Sequence, residues 1–369
     1  MQPAPALAWL DAFRRLRQGQ RGDLVARLAA VEPVLSPDGP NPGIPLRPVL
    51  MRRRHLRQQA DVGGTLISLL TAVAHRRAGG DPRRLGELLG EEPSAGEAPR
   101  LAPADGGTWC ATVHPREGVW WFTDFERRSP QPGLAAVYTV ATAHATCLVA
   151  QALRVAGASL GPSNPREVRS RTRAAGTPAG ALEVMTRARR TGRPSTPEDR
   201  WYANRLLLAW LYEARGELGP RHAGLIERHV PATYPVEDRD VVVDGIRTPL
   251  LRHLVAARAR YVLRSARPGD PPGTVLGWAT GGDAWHRALD EAVGRRTWMV
   301  AQRLVPPGRA AVPVGWPDGS WRLESLGTRL EAHYCGTEYA GALVRLLGPP
   351  SATGVGADAG LSAVLSLDP

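Results

Sequence analysis

The chain has 369 residues, 47 basic and 35 acidic side chains and a formal charge of +12 at pH 7, and its 43% hydrophobic content against 22% charged residues excludes a disordered chain. This length implies about two or three domains, with a core large enough to bury most of the apolar surface. No apolar run nears the ~20 residues of a membrane span, Asp11, Arg14, Arg15 and Arg17 break up the first apolar stretch as in no secretory leader, and three scattered cysteines, Cys110, Cys147 and Cys335, make neither a disulfide framework nor a zinc cluster.

These features describe a reduced, cytoplasmic protein. No lysine occurs anywhere, so every basic side chain is arginine, and with 40 glycines and 34 prolines the composition reads as that of a GC-rich genome. The charge therefore has a compositional origin. Aromatic residues make up only 6% and are not interleaved with the basic runs, which argues against a nucleic-acid partner.

Apolar residues at helical spacing predict helices over 5–31 (Leu7, Leu10, Phe13, Leu16) and 55–78 (Leu66, Leu69, Leu70, Val73), joined through the proline-broken stretch from Pro33 to Pro48. Glu91 to Gly107 reads as a linker. Thr108–Val113 and Val119–Phe125 are expected strands around the turn His114 to Gly118. A helix over Leu134–Val155 ends at Gly157, and 165–193 is an arginine-rich connection. A helix over Pro197–Arg215 precedes short strand signals at Val241–Val243, before the turn Asp244-Gly245, and at Tyr261–Arg264. Asp283–Val293 is an expected helix, Trp298–Gln302 a strand, and Val312–Glu324 a hairpin around Asp318-Gly319. The tail from Gly348 holds one apolar stretch, Leu361–Leu367. This order of helices and strands describes an α/β (α+β) protein with mixed sheets and an N-terminal helical region, in three parts: 1–104, 105–220 and 221–369.

Two motifs invite chemistry and fail on context. Gly157-Ala158-Ser159-Leu160-Gly161 has the spacing of a nucleophile elbow, but a predicted helix precedes it and Pro162 follows, where the elbow needs a strand and then a helix. His144 and Cys147 share a helix face without further metal ligands.

A longer series of signals falls in a fixed order. Tyr261-Val262-Leu263-Arg264-Ser265 is followed by Pro272-Gly273-Thr274, an amphipathic helix, and Trp298-Met299-Val300-Ala301-Gln302-Arg303-Leu304-Val305. Earlier stands Asp124-Phe125-Glu126-Arg127-Arg128-Ser129-Pro130, and later Tyr339-Ala340-Gly341-Ala342-Leu343-Val344-Arg345. This order resembles the circularly permuted ATP-grasp family, the glutathionylspermidine synthase-like carboxylate–amine ligases, over about residues 50 to 360. The resemblance implies an ATP-grasp-like fold closing over a cleft and an ATP-dependent ligase that forms an amide through an acyl phosphate, from carboxylate and amine substrates. It implies ATP held by Gly273, Thr274, Gln302 and Leu304, Mg2+ on Asp124 and Glu126, and Arg264 and Arg345 acting on the transferring phosphoryl group.

The sequence departs from the family pattern at the nucleotide site. Arg264 stands where the family has lysine, a change of geometry as well as of residue. Pro271 and Pro272 remove amide donors from the loop. Arg303 replaces the hinge glutamate, and Cys110-Ala111-Thr112 stands in for an arginine–x–aspartate pattern. These departures frame an alternative: a homologue with a degenerate nucleotide site that binds a substrate or partner, such as an acidic carrier protein facing the 165–193 arginines, or that carries ATP-independent chemistry at His114, Cys110 or Glu126. The residues taken singly also allow plainer roles. Asp124 and Glu126 can be strand carboxylates paired with Arg127 or Arg128, Arg264 a salt-bridge arginine, and Trp298–Val305 a core strand.

Overall fold

The computed structural model describes residues 44–45, 49–91, 101, 107–128, 201–270, 273–294, 298–315, 320–348 and 358–367. The helices expected at 5–31 and 134–155, the 157–161 motif, His144, Cys147 and the 165–193 stretch lie outside them. Among the described residues no helix is long and apolar enough to cross a membrane.

Two sheets dominate this α+β fold. The larger has eight strands. Its path runs β1 (Ile44–Pro45), β11 (Gly308–Gly315), β12 (Trp321–Cys335), β13 (Glu338–Leu347), β14 (Asp358–Leu367) and β2 (Val49–Arg52). The hairpin β3 (Thr108–Arg116) and β4 (Val119–Arg128) joins it where β12 extends past β11: Trp321–Thr328 pairs with β11, and Leu330–Cys335 pairs with β3. All of these pairings are antiparallel except β14 on β2. This sheet draws on residues from all three expected parts of the chain.

The β3–β4 turn is tighter than the five residues expected from sequence. Only Glu117 and Gly118 remain outside the strands, with φ of 51° and 81°. Two positive φ values in succession make the tight primed hairpin turn that matches strand twist. Asp244-Gly245 does the same between β6 (Asp240–Val243) and β7 (Ile246–Pro249), with φ of 50° and 82°.

The long helix α1 (Arg53–Arg77) covers one face of the large sheet. Its Val62, Leu66, Leu69, Leu70, Val73 and Ala74 recur at helical spacing and are buried, against Ala111, Val113, Phe122, Leu330, Ala332 and Tyr334 of the strands. Each large apolar side chain so buried contributes about 1.5–3 kcal/mol. Gln59 Nε2 donates to the Tyr334 hydroxyl at 2.7 Å, which ties helix and sheet together inside that core. Short helix α2 (Pro82–Leu89) follows: Asp81 caps it by accepting from the Arg83 amide at 2.8 Å, Pro82 opens it, and Gly90 ends it at φ 66°.

The smaller sheet has strand order β5 (Thr233–Pro235), β10 (Met299–Arg303), β8 (Tyr261–Ser265) and β9 (Thr274–Leu276). One face, with Tyr234, Leu263 and Ala301, packs on α5 (Leu250–Ala256) and α6 (Gly282–Gly294) through Leu250, Leu254, Trp285 and Leu289. The Trp285 indole donates to the Leu254 carbonyl at 3.1 Å. The opposite face carries Thr233, Val262, Arg264, Val300 and Gln302, by the two-residue alternation of strands. Val300 belongs to the core of the larger lobe, so this face turns toward the large sheet.

Candidate functional site

The polar face of the large sheet begins with a bulge in β4. Thr112 stands opposite Asp124 but Val113 stands opposite Phe122, which leaves Thr123 without a ladder partner. A bulge inserts one residue and re-aims its neighbours. Here it puts Phe122 and Phe125 on the same core-side face, stacked at 5.6 Å and 4°, and sends Asp124 and Glu126 together to the other face. It also frees the Thr123 carbonyl to point at the small sheet.

Arg264 on β8 uses that carbonyl. Its Nη1 donates to Thr123 O at 3.1 Å and to Gln302 Oε1 at 3.3 Å, while its Nη2 donates to Asp124 Oδ2 at 2.7 Å. Gln302 Nε2 donates to Thr123 O at 3.1 Å and to the Thr233 hydroxyl at 3.3 Å. A second cation meets the same carboxylate oxygen: Arg205 contributes Nε at 3.0 Å and Nη2 at 2.9 Å.

Arg205 is fixed by the start of α3 (Leu206–Glu213). Asn204 Oδ1 accepts from the Leu206 amide at 3.0 Å, the Arg205 amide donates to Ala266 O at 2.8 Å, and Arg205 Nη1 donates to Ser265 O at 2.8 Å. Side-chain exposure is 7% for Asp124, 13% for Arg205 and 19% for Arg264, so this triad is a buried device and not a solvated surface pair. Burial and the neighbouring Arg205 both push the Arg264 pKa down, while Asp124 and Glu126 hold it up.

Asp124, Glu126, Arg264 and Gln302, brought forward from sequence, therefore lie about one junction between the sheets. Asp124 is paired with Arg205 and Arg264. Arg345 shares the polar face but stands roughly 16 Å from Asp124, three strand spacings of about 4.8 Å across and two residues of about 3.3 Å along. It is ion-paired with Glu331, which Arg329 also approaches at 3.9 Å. Thr274 sits opposite Arg264 at the exposed edge of the small sheet.

The two backbone donors expected for a nucleotide are already engaged. The Gly273 amide donates to Asp270 O and to the Ser265 hydroxyl, both at 3.0 Å. The Leu304 amide donates to Arg260 O at 2.7 Å, beside an Arg303 amide held by Ala232 O at 2.7 Å. Neither Gly273 nor Leu304 offers a free N–H to a phosphate or a base in this arrangement. Magnesium fares no better at Asp124. One of its oxygens accepts from two guanidinium groups, where a divalent cation would be repelled, and no group of three or more His, Cys, Asp or Glu among the described residues could hold a metal ion. The described residues, so arranged, do not fit magnesium–ATP.

Sequence reading missed Arg205 and Thr123. No motif contains them, and Thr123 matters only through a bulge that no residue pattern announces. His114 was one of three candidates without geometry, and the fold supplies it. His114 is on the polar face of β3, and its Nδ1 lies 2.7 Å from Val305 O. A carbonyl only accepts, so Nδ1 carries the proton and Nε2 the lone pair. Nε2 makes no hydrogen bond among the described residues. Burial, with Arg329 and Arg264 adding repulsion, lowers its pKa to about 4, opposed by the Val305 bond. Cys110 and His333, both buried, stand in register with Glu126 on that same face.

His229, bonded through Nδ1 to Trp120 O at 2.9 Å, is shifted downward in the same direction as His114. For such groups the unfolded chain binds more protons than the native one between the folded and unfolded pKa values. The stability from neutral imidazole is thus present above about pH 6.5 and is lost as pH falls toward 4. Urea unfolding midpoints measured from pH 7 to 4.5 are expected to fall more steeply in the native chain than in His114→Gln. Equal slopes exclude a half-buried His114 that stays neutral.

A glutathione synthetase-like effector from Globodera pallida, solved in its apo form, is similar to this chain at 11% identity, with a TM-score of 0.38, covering 100% of this chain and 98% of that one. No family model matches the chain. No curated protein matches its sequence.

Proposed function

We propose that the chain binds an anionic ligand, a carboxylate or phosphate acid, in the cleft between its two sheets. The motif order supports an ATP-grasp-like scaffold for this activity, with arginine at the position where the family has its nucleotide-site lysine. One observation carries the reading: Arg264 has five N–H donors and spends three of them, two from Nη1 and one from Nη2. Its Nε–H and one Nη2 hydrogen have no acceptor among the described residues. These two remaining donors suit the oxygens of a carboxylate or phosphate. In a site this poorly hydrated such a contact is stronger than at a surface.

Calorimetric titration with inorganic phosphate tests the proposal. Saturable binding is expected, weakened at least tenfold by Arg264→Gln and unaffected by Arg247→Gln, whose side chain is 80% exposed. Absence of saturable binding, or equal weakening by both changes, sinks it.

A second reading, the ATP-dependent carboxylate–amine ligase, is favoured by the meeting of Asp124, Glu126, Arg264 and Gln302 at one junction. It requires Arg205 and Arg264 to leave Asp124 before magnesium could approach. ADP release that depends on both an acid and an amine would select it over simple binding.

A further inference from the structure

His114 and Arg264 offer complementary halves of a contact. Arg264 presents donors only, and its two unspent N–H groups suit an anion. His114 presents an acceptor only: Nδ1–H is committed to Val305 O at 2.7 Å, and the unprotonated Nε2 remains. The backbone positions lie close enough for one small molecule to touch both. Thr112 stands opposite Asp124, which holds Arg264, and His114 is two residues further along β3. At about 3.3 Å rise per residue and about 4.8 Å between strands, His114 and Asp124 are roughly 8 Å apart.

The sign of the surroundings narrows what Nε2 accepts. Arg264 and Arg329 both act against positive charge at this imidazole. A ligand ammonium would meet the same repulsion as an imidazolium, so the partner of Nε2 is an uncharged N–H or O–H.

We propose that His114 and Arg264 together recognise an acid bearing an uncharged hydrogen-bond donor a few bonds from its anionic group, as in an acylated amino acid, a peptide C-terminus or a hydroxy acid. This inference rests on the anion-binding reading and deepens it. Arg264 fixes the anion, and His114 Nε2 selects the donor. A site built to hydrogen-bond a ligand N–H or O–H rejects the analogue lacking it, because its acceptor is left unpaired.

The experiment compares two matched pairs of probes, with free glycine beside them, on the full chain at neutral pH. N-acetylglycine is compared with N-acetylsarcosine, which lacks the N–H, and glycolate with methoxyacetate, which lacks the O–H. At least tenfold preference for the donor-bearing member of one pair is expected, and the pair that shows it identifies the source of the donor. Free glycine, with an ammonium in place of the amide, is expected to bind at least tenfold more weakly than N-acetylglycine if the amide pair responds. His114→Phe is expected to abolish the preference. His114→Gln keeps an amide donor for Val305 and an acceptor for the ligand, so it is expected to retain it even if the phenylalanine variant fails to fold. No preference in either pair, or a preference that survives His114→Phe, overturns the inference. Inorganic phosphate binding that persists through Arg264 in that case leaves the anion-binding reading standing, whereas its loss brings down both.

Discussion

Asp124→Ala is expected to destabilise the chain by about 3–5 kcal/mol, the cost of leaving buried cations without their counter-ion, and to strengthen inorganic phosphate binding at least tenfold in the fraction that folds. Both effects have one origin. Asp124 Oδ2 accepts from Arg205 and Arg264 at 2.7–3.0 Å in a site where its own side chain is 7% exposed. Without the carboxylate, the guanidinium groups keep their contacts to Ser265 O, Thr123 O and Gln302, but their charges face each other across a poorly hydrated gap. An added dianion then fills the place of the lost carboxylate, so ligand and stability become linked: the variant regains stability as phosphate rises, by the mass-action relation between occupancy and unfolding. Asp124→Asn keeps an oxygen acceptor without charge and is expected to lie between the two proteins in both measures. Urea unfolding with and without phosphate reads the first effect, and calorimetry the second. A variant as stable as the native chain contradicts a buried Asp124 pairing, and a variant that binds phosphate no better removes the competition between Asp124 and an exogenous anion.

The elements with regular periodicity were legible in the sequence. α1 follows from Leu66, Leu69, Leu70 and Val73, and β8, β10 and α6 appear within a residue or two of their expected bounds. Hairpin β3–β4 was legible as a pair of strands, while its turn came out shorter because Pro115 closes β3 opposite Trp120 without needing to donate in the ladder. Helix α2 carried a readable signature, Asp81-Pro82 before it and Gly90 after it, yet its apolar content is too short to stand out against the neighbouring linker. The long strand β12 was half-seen, as the end of a hairpin. Its polar face bears Arg329, Glu331 and His333, and charged residues in alternation with core residues read as a solvated segment until another layer is placed over them. The site divides the same way. Asp124, Glu126, Arg264 and Gln302 were found through motif order, and alternation correctly put the two carboxylates on one face. What they do to one another depends on Arg205, delivered from 81 residues away from Asp124 in the chain, and on the Thr123 bulge. Long-range register of that kind is set by packing and leaves no local pattern.

Gly63→Ala tests the other face of the same sheet and is expected to cost about 2–3 kcal/mol, against the helix propensity that favours alanine by roughly 1 kcal/mol. A Cβ at Gly63 would lie 1.9 Å from the Tyr334 hydroxyl oxygen, 2.5 Å from its Cζ and 3.0 Å from Phe122 Cε1. Tyr334 cannot swing aside. It is fully buried and its hydroxyl is held by Gln59 on the preceding turn of α1. The helix must therefore lift from the sheet, loosening the contacts of Leu66, Ile67 and Leu70 with it. Gly224→Ala in α4 (Pro220–His229) is the matched control, since nothing lies within 4 Å of a Cβ there. It is expected to stabilise by about 0.5–1 kcal/mol. Opposite signs in urea unfolding for the same substitution in two helices would show that close approach, and not glycine's backbone freedom, fixes residue 63. Combining Gly63→Ala with Tyr334→Leu is expected to cost less than the sum of the two changes, because both act on one contact. The junction with the small sheet lies on the opposite face of the strands, so a folded Gly63→Ala protein is expected to bind phosphate within about twofold of the native affinity. A larger loss would mean that the position of α1 is transmitted through β3 and β4 to Asp124, and that the core face and the polar face of this sheet are not independent.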